Sequence, residues 1–503
     1  MNCHYIKSLA LFVLTALLMP LASFAEEVEI NGISYSLSSD LSAEVIAGNY
    51  SGDVVIPGSV TYDEVTYNVV SIAKSAFAKS GLTSIYIPAS VTVIGNGAFT
   101  GCKALTSITV EEGNPTYDSR DNCNAIINTA SNSLIYGCQT SVIPETVTSI
   151  GSGAFSDQTG LTEITIPPTL SSIPTDAFTG CTGLTSVTIN SLDLISATRT
   201  PKTSFKSIFG DQVTNYEITG QASVIGSYAF YGCSAMTSFD IPAIVTEIGS
   251  SAFSMCKGLT SIELPAELAV LRNHVFYGCS SLTSITIPEG VMEIEGDAFS
   301  LCRSLKSVGL PGSLQTIGTA AFYGCSDLPS IDIPESVDSI GRDAFSYCLA
   351  LTAINIPPSV RNIGNYTFYS CQSLNSVSIG ASVTSIGSNA FSYCTQLGVI
   401  ECYTEVIPEI EDDAFIEVPL AGVTLLVPED LSEEFRNHSV WGIFFDDFDV
   451  TFDGGDPTGI LSAEVEGQIV EAYDLSGRKH NALQRGLNIV RMTDGSTKKI
   501  IVK

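Results

Sequence analysis

The sequence predicts a mainly-β solenoid of 23-residue coils, with a cap at each end and a small β-sandwich domain behind the second cap. Three observations predict it. Phe230, Phe253, Phe276, Phe299, Phe322, Phe345, Phe368 and Phe391 recur at a constant spacing of 23 residues. Around them runs a shared unit, approximately Ile-Gly-x-x-Ala-Phe-x-x-Cys and then Leu-Thr-Ser-Ile-x-Ile-Pro, with looser copies at Phe77, Phe99, Phe155, Phe178, Phe209 and Phe415. Hydrophobic residues make up 45% of the chain and charged residues 15%, enough apolar material for a core and no signature of disorder. A fixed period of this length means stacked units, not the several globular domains that 503 residues would otherwise suggest.

Each element of the coil follows from its residues. Leu282, Ile285 and Ile287 follow the pattern L-x-x-I-x-I, whose alternation fits a short strand with one buried face. Pro288 ends that strand, and Val291 to Ile294 form a second short alternating piece. Gly296 then opens a tight turn that sends Phe299 inward. One such unit cannot bury its own apolar face, so neighbours are obligatory and the ends need covering.

The flanks break the period. Residues 1–25 carry Lys7, the apolar run from Leu9 to Leu18, and Ser23 and Ala25 at the small positions before a signal-peptidase cut, so they read as a signal peptide. Pro20 interrupts the run after about ten residues, too short for a membrane span, and the mature chain has no transmembrane segment. Residues 26–70 read as an N-terminal β cap, residues 71–400 as the solenoid, and residues 401–452 as a terminal repeat and C-terminal cap around the single Trp441. Insertions between positions 110 and 142 and between 189 and 209 are expected to form loops on one edge. Residues 453–459 form a linker, and residues 460–503 a separate unit of three short strands with turns at Ser476-Gly477 and Asp494-Gly495.

The Ile-Gly-x-x-Ala-Phe-x-x-Cys and Leu-Thr-Ser-Ile-x-Ile-Pro blocks resemble the BspA-like leucine-rich repeats of bacterial surface proteins, over about residues 26–450. That resemblance implies a curved solenoid, surface exposure, and adhesion to host matrix proteins, other microbes or glycans. The tail is similar to a second family, the C-terminal sorting domain of type IX secretion. Its matching residues are Ala472-Tyr473-Asp474-Leu475-Ser476-Gly477-Arg478, Gly486-Leu487-Asn488-Ile489-Val490 and the closing Lys498 to Lys503. This second likeness implies a partner in the type IX secretion machinery, passage through the outer membrane of a Gram-negative bacterium, and a final place on the cell surface or outside the cell.

Charge supports an extracellular binding role and excludes others. The net charge is −31, which repels nucleic acid and anionic membranes. It is uneven, because 15 of the 22 basic and 47 of the 53 acidic residues precede position 454. No catalytic arrangement emerges, and the reading is not an enzyme. His274, His438 and His480 are scattered outside any metal-ligand spacing, and neither a G-x-S-x-G elbow nor a phosphate loop occurs. Asp446, Asp447, Asp449, Asp453 and Asp456 lack the spacing of a calcium loop and read as a solvated cap edge and linker, so no metal or cofactor is expected. Ten of the fourteen cysteines stand three residues after a repeat Phe, which reads as a column of buried thiols. Cys402 is also a core position, and Cys123 and Cys138 are the one pair considered for bridging.

Two patterns remain. The residue after each repeat Phe alternates, Tyr231, Ser254, Tyr277, Ser300, Tyr323, Ser346, Tyr369, Ser392, which implies coils duplicated in pairs whose rings and hydroxyls interlock. On each L-x-x-I-x-I strand the residues flanking the first Ile point outward. About fifteen coils at about 4.8 Å each would make that face a sheet roughly 70 Å long. An extracellular protein or glycan ligand is expected there, with Tyr86, Asp240, Glu263, Asp332, Asn355 and Glu401 as the binding residues and the Asp240, Glu263 and Asp332 stretch as the contact zone. The alternative is a structural surface-layer protein without a specific ligand.

Overall fold

The computed structural model describes residues 26–445 and, further on, the backbone of the strands Ile469–Tyr473, Lys479–His480, Gly486–Met492 and Thr497–Val502. Each regular coil is bonded to its neighbours on three sides. On the first, Ser284–Thr286 pairs in parallel with Ser307–Gly309. On the second, Val270–Leu271, Glu293–Ile294, Thr316–Ile317 and Ser339–Ile340 form one parallel ladder. The third side is the turn that carries the Phe. There the Phe299 amide donates to the carbonyl of Ala321 (2.8 Å), and Phe322 to that of Ala344 (2.8 Å). The coil is thus a mainly-β repeat of about 23 residues with its backbone groups paired between neighbours, as burial of the core requires.

The phenylalanines fill the middle. From Phe230 to Phe391 the repeat rings are fully buried, and each stacks on the next at 5.3–5.7 Å with planes within 13°. The stack runs on to Phe415 at 5.5 Å and stops against Trp441 and Phe444, whose rings meet it edge-on. Trp441 is buried and donates its indole N–H to the carbonyl of Pro408 at 3.0 Å, the polar partner a buried indole needs.

All thirteen cysteines of the described residues are free and buried, Cys123 and Cys138 included. The column cysteines do more than fill space. From Cys256 on, each thiol donates to the carbonyl of the Phe one coil earlier: Cys256 to Phe230 (3.1 Å), Cys279 to Phe253 (3.2 Å), Cys302 to Phe276 (3.2 Å), and so on to Cys394 and Phe368 (3.2 Å). Where the column lacks Cys, Gln212 donates to the Cys181 carbonyl instead (2.9 Å). Burial pushes the thiols of Cys279 and Cys348 up to about 12, so the column is protonated at neutral pH.

The N-terminal residues form a sheet in the order Glu26–Ile30, Ile33–Leu37, Ser42–Val45, Val65–Ile72, Ser59–Tyr62. Val65–Ile72 pairs in parallel with Val93–Ile94, and Ser51–Val55 pairs in parallel with Gly81–Ile87, so this segment supplies the first rung of both ladders. The C-terminal strands make one four-stranded antiparallel sheet, in the order Lys479–His480, Ile469–Tyr473, Gly486–Met492, Thr497–Val502. The proposed signal peptide, the linker at 453–459, the aspartates from Asp446 to Asp456 and the turn at Ser476-Gly477 lie outside the described residues.

Both insertions differ from the expected edge loops. The first is a hairpin, Ala125–Asn128 against Ser133–Gly137, whose second strand pairs in parallel with Ser149–Ile150 and so occupies a coil position. Strand alternation explains why it is buried: Ala125 and Ile127 face the core that runs on to Phe445, while Ile126 faces the core that begins at Ile33. The described residues therefore have two apolar cores, meeting here. The second insertion folds into the helices Leu192–Ser196 and Phe205–Phe209, with Ser191 and Ser204 as N-caps. It buries Leu194, Ile195, Phe205, Ile208 and Phe209, because a coil that lacks its second strand must still close the core.

Candidate binding face

The residues singled out on the strand face do not lie on one continuous sheet. Tyr86 is in Gly81–Ile87, beside Val55 and Thr109 of the adjoining strands. Burial together with Glu111 holds its phenol above the usual range. Asn355, Ser378 and Glu401 stand side by side in the sheet made of Ala353–Asn355, Ser376–Ile379, Val399–Cys402 and Thr424–Leu426. Glu401 accepts hydrogen bonds from the hydroxyls of Ser378 (2.6 Å) and Tyr403 (3.1 Å), so it is already partnered.

Asp240, Glu263 and Asp332 are placed otherwise. Their segments are extended but carry no strand pairing, so the expected sheet of about fifteen coils is broken there into shorter sheets. The breaks have physical causes. Pro329 replaces the Thr of the repeat and has no N–H to donate to the ladder. Glu217, Asp240 and Glu263 occupy the same position of three consecutive coils, and like charges at facing positions destabilise pairing. The core beneath is intact, since Phe239, Ile262 and Ile331 stay buried.

Among the described residues these three acids make no ion pair and no hydrogen bond to another side chain, and all three are exposed. Other carboxylates are engaged: Glu247 and Glu295 share Arg272 (3.5 and 3.1 Å), Asp297 faces His274 (3.6 Å), and Asp343 holds Arg342 (2.8 Å). The free acids can therefore meet a cationic or hydroxyl-rich partner without first breaking a bond. Among the described residues no group of three or more His, Cys, Asp or Glu side chains is placed to hold a metal ion. His438 is structural, accepting at Nδ1 from the amides of Val440 and Trp441.

One feature of the opposite edge escaped sequence reasoning. At the Phe turn, Tyr323, Tyr347, Tyr369 and Tyr393 form a row of edge-to-face rings at 5.3–5.4 Å. Two of these follow the Phe by one position and two follow it by two positions, so the alternation at the first position alone does not reveal the row. The signal lay one residue further on, where Gly232, Gly278 and Gly324 alternate with Met255, Leu301 and Tyr347. A Cβ at Gly278 would lie 2.6 Å from Sδ of Met255, and one at Gly324 would lie 2.9 Å from Cδ2 of Leu301. The large side chain of one coil thus lies across the glycine of the next.

Comparison with known proteins agrees with this architecture. The family described as BspA type leucine rich repeat region matches residues 125–209, 198–329 and 315–433, in six copies. No curated protein sequence matches the chain. Among solved structures, a leucine-rich repeat protein of Bacteroides ovatus is 26% identical, covering 76% of this chain and 99% of its own, with a TM-score of 0.47. A leucine rich cell surface protein of Faecalibacterium prausnitzii is 24% identical (75% and 94% covered, TM-score 0.33). The pneumococcal vaccine antigen PcpA is 18% identical (82% and 96% covered, TM-score 0.33).

Proposed function

The chain belongs to the BspA type leucine-rich repeat family, and we propose from that premise that it is an exported binding protein of a Gram-negative surface. Its role is adhesion to an extracellular protein or glycan, without catalysis and without a cofactor. Residues 1–25 are its signal peptide, residues 26–70 and 401–452 are its caps, and residues 460–503 are a type IX sorting domain. The ligand meets the strand face, with Asp240, Glu263 and Asp332 as the contact zone and Tyr86, Asn355 and Glu401 as outlying contacts. The observation that carries this reading is that those three acids are exposed and unpaired at interruptions of the ladder, where solvation alone requires no charge.

One experiment on displaying cells tests it. Cells carrying the whole chain should retain fibronectin, fibrinogen or glycans on an array, with binding that weakens as salt is raised. D240S/E263S/D332S should bind less and lose that salt dependence while the fold is unchanged. A chain lacking residues 459–503 should fold but stay out of reach of surface antibody. Unchanged binding by the triple variant, or surface display of the truncated chain, refutes the corresponding part. Ligand-independent self-association of the purified protein would favour a surface-layer role instead.

A further inference from the structure

We propose that the Phe-turn edge of the three coils around Phe345, Phe368 and Phe391 is a second binding surface, shaped for an uncharged polysaccharide lying along the array. The surface is distinct from the strand face and does not depend on it.

Three observations converge on this edge. First, it is aromatic and open to solvent. Tyr347 and Tyr393 are 39% and 40% exposed, Tyr323 and Tyr369 lie between and beside them in the same row, and Leu349 is 38% exposed. Large side chains are normally more covered than this, and a row of them on one edge marks a contact surface.

Second, the edge is poor in charge in a chain whose net charge is −31. Residues 344–351, 367–374 and 390–397, which run from the residue before the Phe to the next Leu in three successive coils, contain no Asp, Glu, Lys or Arg. The same turn carries Lys257, Arg303 and Asp327 in earlier coils and Glu417 in the next. The same segments carry Gln372 and Gln396, both neutral and exposed. The nearest charges, Arg342 and Asp343 at the start of the first turn, pair with each other (2.8 Å), so complementarity points to a neutral ligand.

Third, the backbone of the edge is already used. The amide of Tyr347 donates to the carbonyl of Tyr369 (2.8 Å), that of Ser370 to Ser392 (2.8 Å), and that of Tyr393 to Ile416 (2.8 Å). No ladder is left for an added peptide strand to join. What remains is a row of partly exposed rings, one per coil, packed edge to face, with hydroxyls and two amides among them. A sugar chain presents apolar C–H faces and hydroxyls at a regular interval, and the repeat lets successive units contact successive rings through many weak contacts.

Native gels cast with barley β-glucan, galactomannan or dextran, with alginate as a charged control, test this on the purified protein. At least one neutral gel should retard it and alginate should not. Y347A/Y393A should weaken the retardation about tenfold, because two aromatic contacts are removed. Y347F/Y393F should keep it, since the rings remain, and D240S/E263S/D332S should keep it, since that face is elsewhere. As a measurement without substitution, the retarding polysaccharide should protect Tyr347 and Tyr393 from nitration by tetranitromethane, mapped by mass spectrometry. Migration unaffected by all three neutral gels, retardation unchanged in Y347A/Y393A, or protection of these rings by a proline-rich peptide in place of sugar would overturn the proposal.

Discussion

Between Phe230 and Phe415 the core is a single file of stacked phenylalanines, each contact a near copy of the last. Between positions 110 and 142 the file is broken: Phe99 meets Tyr136 edge-on, and Phe155 begins a new stack with Phe178. This junction is held by polar bonds made once each. Asn114 is buried and makes four, donating to the carbonyls of Pro88 (3.0 Å) and Val91 (2.8 Å) and accepting from the amides of Thr116 and Tyr117 (both 2.9 Å). Tyr117 and Tyr136 receive the amides of Ile94 and Ala98, tying the hairpin to the coil before it. Repetition spreads the consequence of a change over like neighbours, whereas at the junction a single side chain has no substitute.

Three substitutions probe that contrast. The largest effect is expected at the junction, where Asn114→Ala strands two carbonyls and two amides and should cost about 3 kcal/mol. Because the two cores meet there, urea unfolding followed by hydrogen exchange should show residues 26–110 opening before the array. Unfolding in one unchanged step would remove the distinction between junction and array. A middle effect is expected inside the array for Ser300→Tyr. Ser300 is buried beneath its neighbours, and a ring there should destabilise by about 2 kcal/mol through overpacking, read as a lower melting temperature. An unaltered melting temperature would mean that the Tyr and Ser alternation does not arise from packing.

The smallest effect is expected in the thiol column. Cys302→Ala removes one bond to the Phe276 carbonyl and should cost about 1 kcal/mol at neutral pH. Its signature lies in the pH dependence. Burial raises the folded thiols above 9.0, to about 12 at Cys279 and Cys348, so the folded chain keeps protons that the unfolded chain releases. That contribution is complete below pH 9 and is lost as pH rises toward 12. Replacing Cys279, Cys302 and Cys325 together by Ala should therefore flatten the alkaline fall in stability. A slope identical to that of the parent would show that the thiols do not titrate with unfolding.

The repeat was legible in the sequence because one residue type, Phe, marks all but one of the coils and its spacing leaves a single architecture that buries it. The proline after most strands and the cysteine column were legible for the same reason. What could not be read was whatever depends on a neighbour one coil away. The strand pattern around Asp240 and Asp332 looks like that around Thr286, yet pairing depends on the facing residue, and there it is an acid or a position whose amide is a proline's. The insertion at 110–142 has no period, so its strands could not be told from a loop until the pairing of Leu134 with Ile150 was known. Of the candidate site, the outward direction of its side chains followed from alternation. The freedom of the three acids and the partnering of Glu401 by Ser378 did not.

The interlocking of unlike coils also sets a rule for how such a gene changes length. Recombination between repeats that excised one coil would bring two bulky side chains, or two small ones, into adjacent turns, leaving a clash or a void where Met255 now lies across Gly278. Excising two coils keeps a large side chain against a glycine or serine. Packing therefore favours the pair as the unit of change, and related arrays are expected to differ by even numbers of coils.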